Sequence, residues 1–322
     1  MSGLLFVREE DVRRVITMDS CINAVEDAYR ELGEKDGSIT PRQNLWIVPP
    51  KSIKLASAGL VHRGFMGIVA YSAGYGARGS GSSSTLLYDI SNGKLLAIVE
   101  SKLLGLYRTG ATTAVAAKYL ANKGSEVVAI IGTGRQARTQ ILALRNVLGN
   151  LRTVRAFSRT REKRENFAAE MTAETGLDVQ PTDSPEECAT KADVVVTITT
   201  SNLPLIKKEW ISNGTLICAL GSHYPSASEV DIETVLSSTV IVDSKEQALL
   251  EKGEILIPIK KGLTTPDIIR AELGEIVAKK TNGRSSPDEK VLFCSGGIAS
   301  EQIGVAAEIY ERVVKLGSGV HI

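Results

Sequence analysis

From Met18 onward the apolar residues Ile22, Val25, Ala28, Tyr29 and Leu32 recur three or four positions apart, and Gly33 and Gly37 close the run. That spacing predicts one amphipathic helix. Between Thr40 and Glu100 the rhythm shortens to β-rich runs at 53–61, 67–71 and 83–90, broken by Gly, Ser and Pro, with a hairpin signal at Asp89-Ile90-Ser91-Asn92-Gly93. This first part reads as a small, mainly antiparallel α+β unit. An Ala-rich helical pattern covers 103–120, and after a break at 122–125 strands are predicted at 127–131, 154–157, 194–198, 216–220, 240–242 and 291–293. Short apolar runs separated by helix-length segments predict a parallel sheet covered on both faces. A last amphipathic helix, 298–316, is expected to pack back on the first part. The predicted fold class is α/β, a Rossmann-type doubly wound parallel sheet plus a smaller α+β unit. The expected division is 1–120, completed by the helix at 299–322, and 121–298.

Composition narrows the class without changing this picture. A chain of 322 residues exceeds what one hydrophobic core usually serves, and 43% hydrophobic with 23% charged residues excludes a largely disordered protein. Lys plus Arg (38) nearly balances Asp plus Glu (37), so no global field calls for nucleic acid or an anionic membrane. Small molecules are the expected partners. Cys21, Cys188, Cys218 and Cys294 are scattered, without C-x-x-C or metal-ligand spacing, and read as reduced core residues; no metal is expected. Charges at Arg8, Glu9 and Glu10 precede any signal-like apolar region, and no apolar run reaches membrane-spanning length, so the expected compartment is the cytoplasm.

The apolar run Val127-Val128-Ala129-Ile130-Ile131 leads directly into Gly132-Thr133-Gly134-Arg135-Gln136-Ala137 and then a helical pattern. Strand, G-x-G-x-x-A turn and helix stand in the order that dinucleotide binding requires. The first glycine makes the turn, the second lets backbone approach a pyrophosphate, and the alanine allows close helix packing. The alternative is a glycine turn of purely structural use. After the second strand, where an acidic residue would bind the ribose hydroxyls of NAD(H), stand Ser158-Arg159-Thr160-Arg161, which suit a 2′-phosphate. NADP(H) is therefore expected over NAD(H), the alternative being that these arginines belong to a solvated helix start running into Lys163 and Arg164.

Ligands of open parallel sheets sit beyond the strands' carboxyl ends. Thr199, Thr200 and Ser201 follow one strand there and could line the nicotinamide ribose. His223 follows another and could carry the proton that accompanies hydride transfer; the alternative use is a loop histidine bonded to the backbone. Arg108, in Leu106-Tyr107-Arg108-Thr109-Gly110-Ala111-Thr112, could hold a carboxylate bidentately, and Arg42 follows Pro41; the alternative for each is a surface or interdomain charge.

Taken together, Pro41-Arg42, Leu95-Leu96-Ala97, Tyr107-Arg108-Thr109-Gly110-Ala111, Ala117-Lys118-Tyr119-Leu120, the glycine turn, Val242-Asp243-Ser244 and Ala271-Glu272-Leu273-Gly274-Glu275-Ile276 resemble the ornithine cyclodeaminase/mu-crystallin family over nearly the whole chain. The resemblance implies a homodimer formed through the first domain, a Rossmann domain, and chemistry at a carbon bearing an amino or imino nitrogen. It also implies that Arg42 and Arg108 bind the substrate carboxylate, that Ser84 lies near the nicotinamide, and that Gly297 and Ile298 pack on its ring. Thr109 is counted with the cofactor contacts. Two departures stand out. Val69 occupies the place of a family lysine, with no substitute lysine evident, and His223 and Ala227 replace an acid and a lysine in the loop after the fourth Rossmann strand. These changes argue against ornithine cyclisation. The expected activity is NADP(H)-dependent reduction of a small imine or ketimine carboxylate related to an amino acid. The alternatives are an NADP(H)-binding mu-crystallin-like protein with little catalysis, or a variant cyclodeaminase or alanine dehydrogenase.

Overall fold

The computed structural model describes residues 3–48, 51–74 and 81–322. Two compact units emerge, Met1–Thr112 with Gly297–Ile322, and Thr113–Gly296. In chain order the first unit begins with β1 (Leu5–Val7), α1 (Glu9–Val15) and α2 (Met18–Glu34), the helix predicted from the apolar spacing. The strands β2 (Gly37–Ile39), β3 (Gln43–Val48), β4 (Lys51–Leu60), β5 (Phe65–Ala73), β6 (Ser83–Asp89) and β7 (Leu95–Glu100) follow, then α3 (Lys102–Leu120). The boundary between the units falls inside α3, after Thr112, and not at its end as expected.

The second unit carries β8 (Val127–Ile131), α4 (Arg135–Val147), β9 (Thr153–Phe157), α5 (Arg161–Thr175), β10 (Asp178–Pro181), α6 (Pro185–Ala189), β11 (Val194–Thr197) and β12 (Leu216–Ala219). It continues through α7 (Ile232–Leu236), β13 (Thr239–Val242), α8 (Lys245–Glu251), α9 (Gly253–Lys260), β14 (Ile269–Glu272), α10 (Leu273–Val277) and β15 (Val291–Cys294). The chain then returns to the first unit with α11 (Ala299–Leu316) and β16 (Val320–His321).

In the first unit β7, β6, β5 and β4 pair antiparallel in that order, while β1 joins β7 in parallel. Alternation along β4 sets Ser52, Lys54, Ala58 and Leu60 on a buried inner face and Ile53 and Leu55 on an exposed outer one. Helix α11 covers the inner face: Gln302 donates to the Thr85 hydroxyl on β6 at 3.2 Å, and a side chain at Gly67 on β5 would strike Ile303 and the Leu86 carbonyl.

All eight strands of the second unit run parallel, in the order β10-β9-β8-β11-β12-β15-β13-β14. The central strands β8, β11, β12 and β15 are buried on both sides, which is why their sequences read as unbroken apolar runs. Each large aliphatic side chain buried there contributes about 1.5–3 kcal/mol. Strand order reverses direction at β8 and β11, which opens a crevice beyond their carboxyl ends.

Candidate active site

The glycine turn sits at that crevice, between β8 and α4. Gly132 has φ +110, and a Cβ there would lie 2.6 Å from the Ile198 carbonyl, so only glycine fits. Gly134 meets the opposite condition. It is the N-cap of α4, no side chain caps the helix, and nothing lies within 4 Å of where its Cβ would stand. Open space over uncapped N–H groups is the geometry a phosphate needs. Ala137 is fully buried against the sheet, Arg135 is exposed, and the Gln136 Oε1 atom is buried without a partner.

The predicted 2′-phosphate residues lie beside this turn. Thr133 donates to the Ser158 hydroxyl at 2.9 Å, and the Gly132 N–H donates to the Phe157 carbonyl at 2.8 Å, so the turn is tied to the end of β9. The arginines divide by role. Arg164 is buried, stacks over Phe157 and reaches Asp183 and the Ser158 carbonyl, so it shapes the loop. Arg161 pairs with Glu165 at 2.7 Å. Arg159 and Thr160 are exposed, and among the described residues Arg159 makes no ion pair.

Thr199 after β11 gives both its N–H and its hydroxyl to Glu229, at 2.7 and 2.6 Å; the same carboxylate accepts from the Thr197 hydroxyl at 2.9 Å and the Gly221 N–H at 2.7 Å. Burial raises the pKa of Glu229, against the lowering effect of the Thr199 bonds, and nearby Glu254 raises it further. Ser201 folds back on its own loop, with its hydroxyl on the Leu203 carbonyl at 2.8 Å, and Thr200 is exposed beside it. His223 is half-buried with its Nδ1 atom turned into the protein. Ala227, in the lysine's place, is packed so closely that Gly253 has no room for a side chain against it.

The first unit holds the cationic residues. Arg42, just ahead of β3, donates to the Gly297 carbonyl at 2.5 Å, and the Arg108 guanidinium occupies the space a side chain at Gly297 would need. Gly297 has φ +78, so glycine is required on two counts. Arg108 also pairs with Glu301 at 2.9 Å; Glu301 is fully buried and accepts from the Tyr29 hydroxyl at 2.6 Å. The Arg108 Nε atom is buried without a hydrogen-bond partner. Ile298 is the N-cap of α11 and buried, and the Thr109 hydroxyl donates to the Gly105 carbonyl one turn back. Arg42, Arg108 and Gly297 therefore lie together. Ser84 does not join them: it pairs with Ala70, which pairs with Leu55, on the outer face.

The structure also supplies a lysine that sequence reading misses. Val69 is buried on the inner face of β5, opposite Ala56, and one inner-face pair further along stands Lys54 opposite Tyr71. Lys54 is only 4% exposed. Its alternation with Ser52 and Ala58 was the available signal, but the register with β5 is invisible in the chain.

The ornithine cyclodeaminase/mu-crystallin family model matches residues 4–317. The chain belongs to this family. It is similar to the Delta(1)-pyrroline-2-carboxylate reductase of Bacillus cereus, 36% identical over 238 residues, 73% of this chain and 72% of that one. The Thermococcus litoralis Delta(1)-pyrroline-2-carboxylate reductase, solved with NADH and L-proline, superposes with TM-score 0.94 at 33% identity, covering 99% of this chain and 100% of that one. An archaeal alanine dehydrogenase dimer with bound NAD gives TM-score 0.93 at 30% identity, covering 99% of each chain. Among the described residues no helix of this family member is long and apolar enough to cross a membrane.

Proposed function

We propose that this chain reduces a small imine bearing a carboxylate, related to an amino acid, with NADP(H) preferred over NAD(H). Family membership and the Rossmann sheet make it a nicotinamide-dependent oxidoreductase of C–N bonds. The observation that carries the substrate class is the pair Arg42 and Arg108 converging on Gly297, with one Arg108 nitrogen buried and unpartnered. Arg108 pairs with the buried Glu301 through one nitrogen, and a substrate carboxylate would complete its guanidinium.

When bound, the nicotinamide supplies the hydride. Gly132, Gly134 and the N-terminus of α4 would hold its pyrophosphate, and Ser158, Arg159 and Thr160 would contact a 2′-phosphate. Arg108 and Arg42 would grip the carboxylate and so fix the adjacent imine carbon. On this reading His223, half-buried in the loop after β12, supplies the proton that accompanies hydride transfer. The test is loss of nicotinamide absorbance with cyclic and linear imino acids, among them the pyrroline carboxylate that the relatives are named for. Turnover with NADPH above NADH is expected; tight cofactor binding with no turnover of any imine would overturn the activity.

We infer also that the chain is a homodimer joined through the outer face of the first sheet. Leu45, 59% exposed, pairs with exposed Ile53, and Leu55 and Ile68 extend the same face. A contiguous apolar patch of this kind marks an interface. Sedimentation at micromolar concentration should give twice the 34.5 kDa chain mass, and a monomer would refute it.

A further inference from the structure

Lys252 is 1% exposed, in the second unit, and plays no part in the proposed chemistry. Its Nζ donates to the carbonyls of Ser222 at 2.7 Å and of Ala219 and Ser295 at 3.3 Å, and lies 3.4 Å from Glu254. An ammonium has three protons, and here three carbonyls, from the ends of β12 and β15, take them. Ala219 ends β12, Ser222 lies in the loop beyond it, and Ser295 follows β15. Burial draws its pKa down, but the neighbouring acids, Glu254 foremost, outweigh that and raise it, so the group stays protonated.

The surrounding carboxylates serve the same loops. Glu229 ties Thr199 to Gly221, and Asp243 accepts from the Ser295 hydroxyl and the Gly296 N–H, both at 2.8 Å. Side chains at Gly221 and Gly296 would strike Glu229 and Glu251, so each glycine leaves room for a carboxylate. The Ser222 hydroxyl donates to the Ala227 carbonyl at 2.9 Å, which leaves the residue before His223 pinned from two sides.

Stability alone does not account for this arrangement. The strands already hold one another by backbone bonds, and buried ionic groups are often replaced by apolar ones at no loss. What Lys252 adds is order beyond the strand ends, where ligands of this fold bind.

We propose that Lys252 is a positioning residue, whose ammonium fixes the loop carrying His223 and the Ser295-Gly296 turn in their reactive geometry. Its kinetic consequence rests on the imine-reductase reading; its structural consequence does not. The experiment uses the full chain with Lys252→Met, which removes all three donors, and Lys252→Gln, which restores some. Hydrogen exchange of 221–224 and 294–296 should rise at least about tenfold in Lys252→Met, with β8 and α4 unchanged. NADPH affinity should stay within about threefold while kcat on the imine falls about 100-fold at similar KM, with Lys252→Gln in between. Unchanged exchange and kcat in Lys252→Met would overturn the proposal. So would deprotection spread through the whole sheet in both variants, which would make Lys252 a general support of the fold. If the parent reduces no imine, the functional reading fails while loop exchange and NADPH affinity still decide the role of Lys252.

Discussion

In the first unit Arg108 pairs with the buried carboxylate of Glu301, whereas in the second Lys252 stands among Glu229, Asp243 and Glu254. The two sets of charges are used differently. Glu229, Asp243 and Lys252 are directed at backbone groups and hydroxyls of their own loops, so they shape the site from beneath. Arg108 keeps a buried nitrogen without a partner, a costly arrangement unless something else completes it.

Removing the ligand-directed charge should have the largest effect. Arg108→Ala is expected to lower kcat/KM for an imino acid by about 100- to 1,000-fold, the loss of a buried charge-assisted pair, with NADPH affinity unchanged in a fluorescence titration. A parallel loss of cofactor affinity would break the division between the units. Next comes Gly132→Ala, which meets both positive φ and the Ile198 carbonyl; NADPH affinity should fall at least about tenfold, with a stability loss of about 2 kcal/mol by urea unfolding. Arg159→Ala is subtler. It should weaken NADPH about tenfold and leave NADH nearly unchanged, and an equal effect on both would remove the 2′-phosphate assignment.

The smallest effect is away from both sites. His62 is exposed, and a hydrogen bond to Asp36 raises its pKa above the ordinary 6.5. The stabilisation is fully present below 6.5 and is lost as pH rises through the raised pKa. His62→Gln should therefore lower the urea midpoint slightly at pH 6 and leave it unchanged at pH 9.

Legibility in the sequence followed burial and locality. Strands β8, β9, β11, β12, β13 and β15 stood at the predicted places to within a residue or so, because buried parallel strands write themselves as apolar runs. Strands β10 and β14 were missed; they are the two sheet edges, and Asp178–Pro181 and Ile269–Glu272 carry the polar residues that edges tolerate. The glycine turn was readable because strand, turn and helix are contiguous. Lys54, Glu229 and Lys252 were not, because what defines them is a register or a carbonyl contributed from elsewhere in the chain. The thiols agreed with expectation: all four cysteines are free and buried, and burial pushes Cys21 and Cys188 up to about 12.

The most direct test of the account pairs a change in the protein with a change in the substrate. kcat/KM would be measured for a cyclic imine with and without its carboxylate, in the parent and in Arg108→Ala. If Arg108 holds that carboxylate, its removal from the substrate costs the parent about 1,000-fold and Arg108→Ala less than about tenfold. Equal losses in the two proteins would contradict the account.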